Sequence, residues 1–223
     1  MREIVFDTET TGLDPAAGHR VVEIGCVELL NHMPTSETRQ WYLNPQRDMP
    51  EEAYRVHGLS EEFLGDKPLF SAVAEEFLDF VGGAVLIAHN ASFDMRFINA
   101  ELAALDRPNL PKDKVLDTIT LARQKIPGAQ YSLDALCRRF DIDLSARGHH
   151  GALLDAELLA EVYLELIGGR QPGLVLASEV KGSAVVQSTD RQARPPRAHA
   201  PSAEEEAAHQ AFVAKIKDPI WEK

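Results

Sequence analysis

Near its start the chain runs Ile4, Val5, Phe6, a branched and aromatic stretch with the marks of a buried β-strand, straight into Asp7 and Glu9. Side chains alternate across a strand, so these two carboxylates share one face, one behind the other. Like charges at that spacing repel and raise each other's pKa unless something positive lies between them. A fold that begins this way has to bring positive charge to the tip of a buried strand.

The 223 residues suffice for one sizeable domain plus extra segments, and 44% apolar with 26% charged residues describes a soluble globular chain. No apolar run approaches the ~20 residues that cross a bilayer, and no signal-peptide pattern follows Met1, so no membrane role is expected. Cys26 and Cys137 are the only cysteines and form no C-x-x-C pair, which argues against a disulfide scaffold or a thiolate zinc site. A bacterial-type cytoplasmic protein is the simplest reading. The net charge of −12 argues against a broad basic surface for nucleic acid. Residues 1–167 carry 15 basic and 28 acidic groups, net −13, whereas 168–203 carry a net +3 and 204–223 a net −2. If the first block handles nucleic acid, it needs cations and a partner that delivers the substrate.

Strand patterns lie at Ile4–Asp7, Val21–Leu29, Thr38–Leu43, Ala84–Ala88 and Val115–Asp117. Turn signals separate the first three, as in an antiparallel meander. Helical patterns then alternate with strands. Phe70, Val73, Ala74, Phe77 and Phe80 or Val81 make one apolar stripe, and further helices are predicted over Phe93–Leu105, Thr118–Lys125, Leu133–Phe140 with Ser132 as N-cap, and Ala152–Ile167. Three strands followed by this alternation predict an α/β fold, a mixed sheet with helices on both sides. Gly168 and Gly169 stop the last helix. The stretch 168–201, rich in Gly, Pro, Ser and Gln, reads as a flexible linker. In 202–223, Ser202 and Glu205 predict a capping box, Ala208, Phe212 and Ile216 recur every four residues, and Pro219 ends the helix. A lone helix of that length is marginal in water, which predicts a partner for it.

Ionisable residues stand where the packing pattern does not need them. Asp94 opens a helix after a buried strand, Asp117 ends a short strand, and His149 and His150 precede a helix that holds Asp155 near its start. Any one acid at a helix start is explained by the helix dipole, and a lone histidine there by an ordinary loop. Together, Asp7, Glu9, Asp94 and Asp155 form a hard oxygen donor set of the kind that suits Mg²⁺ or Mn²⁺ rather than zinc. Two such ions about 3.5–4 Å apart clamp in-line displacement at phosphorus. Divalent metal between Asp7 and Glu9 would let the two carboxylates tolerate one another.

The motifs FDTETTGL, HNASFD and HGALLDA resemble the three exonuclease motifs of the DEDDh 3′–5′ exonucleases. Within that superfamily VVEIGCVEL, VHGLS, SLDALCRRF and HGALLDAELLAEVYL make residues 1–167 similar to the proofreading ε subunits of bacterial DNA polymerase III. The resemblance implies a ribonuclease H-like fold with a five-stranded mixed sheet. It implies two metal ions, with Asp7 bridging both, Glu9 and Asp155 holding one each, and Asp94 completing the set directly or through water. It implies His150 as general base, with His149 as competitor. The 3′-terminal nucleotide of single-stranded or frayed DNA is expected at Glu9, Thr10, Glu52, His57 and Asn90. For Glu52 a solvated helix charge explains the residue nearly as well.

Gln171, Leu174 and Leu176 in QPGLVL resemble the short peptide by which replication proteins dock on the sliding clamp. The segment 202–223, with Phe212, Ile216, Ile220 and Trp221 as anchors, resembles the family's peptide for the polymerase α subunit. The implied function is proofreading in the bacterial replisome, at the nucleoid. A free-standing 3′ exoribonuclease of the RNase T or oligoribonuclease kind is the alternative; it would share the metal site but lack the tail. A polymerase-stabilising subunit with a decayed site is a third reading, opposed by the complete acidic set.

Overall fold

The computed structural model describes residues 1–145, 150–168 and 200–216. They belong to two compact units that divide between Leu174 and Val175.

In the first unit, β1 (Arg2–Thr10), β2 (Val21–Leu30) and β3 (Met33–Tyr42) form the expected antiparallel meander. The turn joining β2 to β3 puts Asn31 and His32 at φ of 51° and 69°, the left-handed pair of a tight hairpin. β4 (Val85–Ala88) and β5 (Val115–Asp117) add on the other side of β1, both parallel. The order β3-β2-β1-β4-β5 makes a five-stranded mixed sheet with β1 in the middle. Both edges of β1 are therefore paired, which suits its unbroken apolar run.

Helices α1 (Glu51–His57), α2 (Glu61–Gly65), α3 (Phe70–Val81), α4 (Ala91–Ala103), α5 (Thr118–Lys125), α6 (Leu133–Arg139) and α7 (Ala152–Leu166) complete the unit. Alternation along β1 feeds two cores. Ile4 and Phe6 join Ile24, Cys26 and the apolar stripes of α3 and α4 on one face. Val5 joins Val27, Leu29, Ile87 and residues of α5, α6 and α7 on the other. Each large side chain buried this way contributes about 1.5–3 kcal/mol relative to exposure. α7 is buried over most of its circumference, and only the stripe of Glu157, Glu161 and Glu165 faces solvent. Ser132 caps α6 by accepting from the Ala135 amide, and Asp117 caps α5 through Ile119.

Two differences from the sequence reading have physical causes. β3 reaches back to Met33 although its first half is polar, because it is an edge strand whose exposed residues need no apolar alternation. α1 and α2, with seven and five residues, are too short to display an apolar stripe, and Pro50 gives α1 no side-chain cap.

In the second unit, α8 (Ala203–Val213) starts with the expected capping box between Ser202 and Glu205. It ends earlier than Pro219. After Val213 the amides of Lys215 and Ile216 bond three residues back, to Phe212 and Val213, and this tightening closes the helix and leaves Ile216 outside it. Phe212 is exposed. Gln171, Leu174, Leu176, Ile220 and Trp221 lie outside the described residues.

Candidate active site

The acids converge at the tip of β1, each delivered by a different local rule. Asp7 and Glu9 follow Val5 on the face of the sheet covered by α7. Asp155 occupies the first turn of α7 and is buried. Asp94 occupies the first turn of α4, also buried, and accepts a 2.7 Å hydrogen bond to Oδ1 from the hydroxyl of Thr8. Thr8 lies between the two acids of β1 and points to the opposite face. One strand thus gathers carboxylates from both helical layers.

Ligand atoms of Glu9, His150 and Asp155 lie within 4.8 Å of one another. His150 Nδ1 is 3.1 Å from Asp155 Oδ2. Facing an ionised carboxylate, which only accepts, Nδ1 would be the donor, and the neutral tautomer would then carry its lone pair on Nε2. The side chain of His150 is about half exposed. Its backbone amide donates to Val56 O at 3.1 Å, so the last turn of α1 holds the segment ahead of α7. His149 lies outside the described residues.

A cleft of about 370 Å³ is lined by Asp7, Glu9, Asn90, Asp94, His150 and Asp155 together with Thr8, His89, Phe93 and the first turn of α6. Burial raises the Asp7 carboxyl well above the usual aspartate range, and the charges of Asp94, Glu9, Asp155 and Glu23 raise it further. Burial likewise pushes Asp94 up to about 7 against the stabilising hydrogen bond from Thr8. Buried carboxyls crowded in this way are a site for cations, and oxygen donors of this number fit Mg²⁺ or Mn²⁺.

A second cavity, of about 560 Å³, shares Thr8, Glu9 and Phe93 with the cleft and is lined by Thr10, Glu52 and His57. Glu52 is exposed, and Thr10 donates its hydroxyl to Gly12 O. His57 is buried, and its Nδ1 accepts from the Leu59 amide, which places the ring hydrogen on Nε2. Among the described residues that Nε2 makes no well-aligned hydrogen bond, although the Thr10 backbone lies close enough to favour the protonated ring. Burial holds the ring's pKa down. A neutral donor in a cavity wall with no well-aligned partner among the described residues is suited to an oxygen acceptor of a bound molecule.

Asn90 adopts φ 64°, with its backbone N–H donating to Asp117 Oδ1 at 3.2 Å. Asp117 therefore supports the loop from behind, outside the lining of the cleft, while its charge still helps raise Asp94. Sequence reasoning passed over Thr8, Phe93 and His89. The alternation between Asp7 and Glu9 was the available signal for Thr8. Phe93 and His89 flank Asp94 and Asn90 within one motif.

Residues 4–163 match the family model described as Exonuclease. The chain is 47% identical over 222 residues to the DNA polymerase III subunit epsilon of Rickettsia conorii, covering 97% of this chain and 96% of that one. It is 46% identical to the subunit of the same name from Escherichia coli K12, covering 97% and 93%. Among solved structures, exonuclease X in complex with 5′ overhanging duplex DNA superposes with a TM-score of 0.58 at 27% identity, over 74% of this chain and 90% of that one. The nuclease domain of 3′hExo, a DEDDh family member, gives 0.65 at 18%, over 74% and 91%, a likeness of fold that matches the ribonuclease H-like sheet. No helix among the described residues is long and apolar enough to cross a membrane. With its acid cluster at the head of a mixed sheet and its likeness running nearly end to end, the chain belongs to the exonuclease family and, within it, to the ε subunits of bacterial DNA polymerase III.

Proposed function

We propose that this chain proofreads for the replicative polymerase, removing mispaired 3′-terminal nucleotides as 5′-mononucleotides by two-metal hydrolysis. The observation that carries the site assignment is the convergence of Asp7, Glu9, Asp94, Asp155 and His150 on one cleft. Asp7, Glu9, Asp155 and Asp94 would hold the two divalent ions. Bound there, Mg²⁺ or Mn²⁺ supplies Lewis-acid polarisation of the phosphodiester and neutralises the crowded carboxyls. His150, its tautomer set by Asp155, takes the proton of the attacking water on Nε2. Thr10, Glu52, His57 and Asn90 orient the terminal nucleotide, with the His57 Nε2–H as a neutral donor.

Three segments divide the work: 1–167 hydrolyses, 168–201 tethers, and 202–223 binds the polymerase α subunit through Phe212, Ile216 and Trp221. Gln171, Leu174 and Leu176 dock on the sliding clamp, which places the protein with the replisome at the nucleoid. Relatives bearing the polymerase III name align over 97% of this chain, tail included, which favours the proofreader over a free-standing exoribonuclease.

The test is hydrolysis of a primer with a mismatched 3′ end. The wild-type protein with Mg²⁺ is expected to release mononucleotides. His150→Ala should retain the fold and lose about 10²–10⁴ in kcat. Asp7→Ala should lose more, since metal leaves with it. Near-normal digestion by Asp7→Ala would refute the site, and faster cleavage of short RNA than of the mismatched primer would shift the reading to an exoribonuclease.

A further inference from the structure

Glu23 is a buried carboxylate beside the acid cluster, and the proposed hydrolysis gives it no part. It is 1% exposed, and in the β1–β2 ladder it stands opposite Glu9. Gln40 Nε2 donates to its Oε1 at 2.7 Å. The backbone N–H groups of Ala152 and Leu153, the first two residues of α7, lie near its carboxylate and favour its charged form. The N-cap of α7 is Gly151, which has no side chain to offer these amides. They are among the donors that a helix start leaves unsatisfied, and Glu23 supplies the missing acceptor from a neighbouring strand.

Gly25, two residues on and on the same face, stands opposite Asp7. A Cβ at Gly25 would lie 2.2 Å from both the carbonyl carbon of Ala152 and the nitrogen of Leu153. The first turn of α7 therefore rests directly on the bare backbone of β2. The two positions of β2 that face Asp7 and Glu9 across the ladder are both occupied by residues that seat α7. Asp155 is in that same turn, and His150 is two residues ahead of the helix.

We propose that Glu23 and Gly25 are positioning residues, a clamp on β2 that grips the N-terminus of α7 and so sets Asp155 and His150 against Asp7 and Glu9. The proposal rests on the exonuclease reading of the acid cluster.

The experiment compares full-length wild-type protein with Glu23→Ala and Glu23→Gln by three measurements: Mn²⁺ binding without substrate, followed by the electron paramagnetic resonance of the free ion; kcat and KM on single-stranded DNA; and Tm. Residues that orient metal ligands from behind are typically worth about 10–100-fold in metal affinity or activity. Glu23→Ala is expected to lose that much in Mn²⁺ affinity and in kcat, with KM within about threefold. Glu23→Gln keeps an oxygen for the two amides, and Gln40 can turn its own amide to match, so recovery to within about threefold of wild type is expected. Wild-type Mn²⁺ affinity and kcat in folded Glu23→Ala would overturn the clamp. So would a folded Glu23→Gln as impaired as Glu23→Ala, because an acceptor alone would then not suffice. Failure of the underlying reading looks different: the wild-type protein itself would bind no Mn²⁺, and the proposal would fall with it.

Discussion

Along β1 the side chains that matter alternate, and their titration follows from what each one touches. Asp94 receives a hydrogen bond from Thr8, yet burial still pushes it up to about 7, and Asp7 moves the same way under burial and its acidic neighbours. A carboxyl whose folded pKa is raised binds its proton more tightly in the folded state. The associated stability is fully present below the ordinary aspartate value of 3.8 and is lost as pH rises through the folded value near 7. Divalent cations take over from protons above that point. In EDTA, Tm should therefore decline between pH 5 and pH 8, and the decline should shrink in Asp94→Asn. Adding Mg²⁺ should raise Tm at pH 8 far more than at pH 5. Calorimetry across this range decides it; a Tm at pH 8 indifferent to both Mg²⁺ and Mn²⁺ would contradict the cation site.

The elements carrying these acids are joined by pairs outside the cleft. Arg20, just before β2, makes a bidentate ion pair with Glu101 of α4, at 2.7 and 2.6 Å, and Glu101 also accepts from the Val21 amide. Glu101 is 5% exposed and Arg20 37%. The asymmetry predicts the order of damage. Arg20→Ala strands a buried carboxylate, whereas Glu101→Ala leaves a guanidinium that can turn to water. With the pair partly screened, Arg20→Ala should cost about 1–3 kcal/mol and Glu101→Ala less. Urea unfolding of the two variants measures this, and the reverse order would show that the carboxylate is not dependent on Arg20. Glu101 had no signature in the sequence, being one charge on an otherwise amphipathic helix. The same holds for Glu23 and Gly25, which read as ordinary members of a strand. Periodicity did reveal α3, α5 and α7, because their apolar stripes are what the sheet buries, and Asp117 and Ser132 announced their helices by capping chemistry. What stayed hidden is held by contacts between distant segments: α1 pinning His150 through Val56, or Gly25 admitting α7. Neither leaves a local pattern.

For the whole molecule, charge and length bear on one problem. Residues 1–167 carry a net −13, which repels a phosphate backbone except at the cation site. Weak intrinsic affinity then has to be offset by proximity. The composition of 168–201 predicts a flexible chain, whose r.m.s. span would be roughly 29–35 Å. Tethering at that range gives an effective concentration of order mM, enough for a domain with little affinity of its own. The tether works only if its far end is held. That end offers α8 with an exposed Phe212 and a capping box that prepares the helix, together with the aromatic Trp221 near the terminus. Deleting residues 202–223 should abolish co-elution with the polymerase α subunit while leaving kcat and KM on free single strands unchanged. On a mismatched primer held by the polymerase, removal should slow to the rate of the untethered domain. Salt separates the contributions further: raising ionic strength screens the repulsion of free strands, so the truncated protein should gain relative to the intact complex. Co-elution of the truncated protein with polymerase would place the attachment elsewhere on the chain.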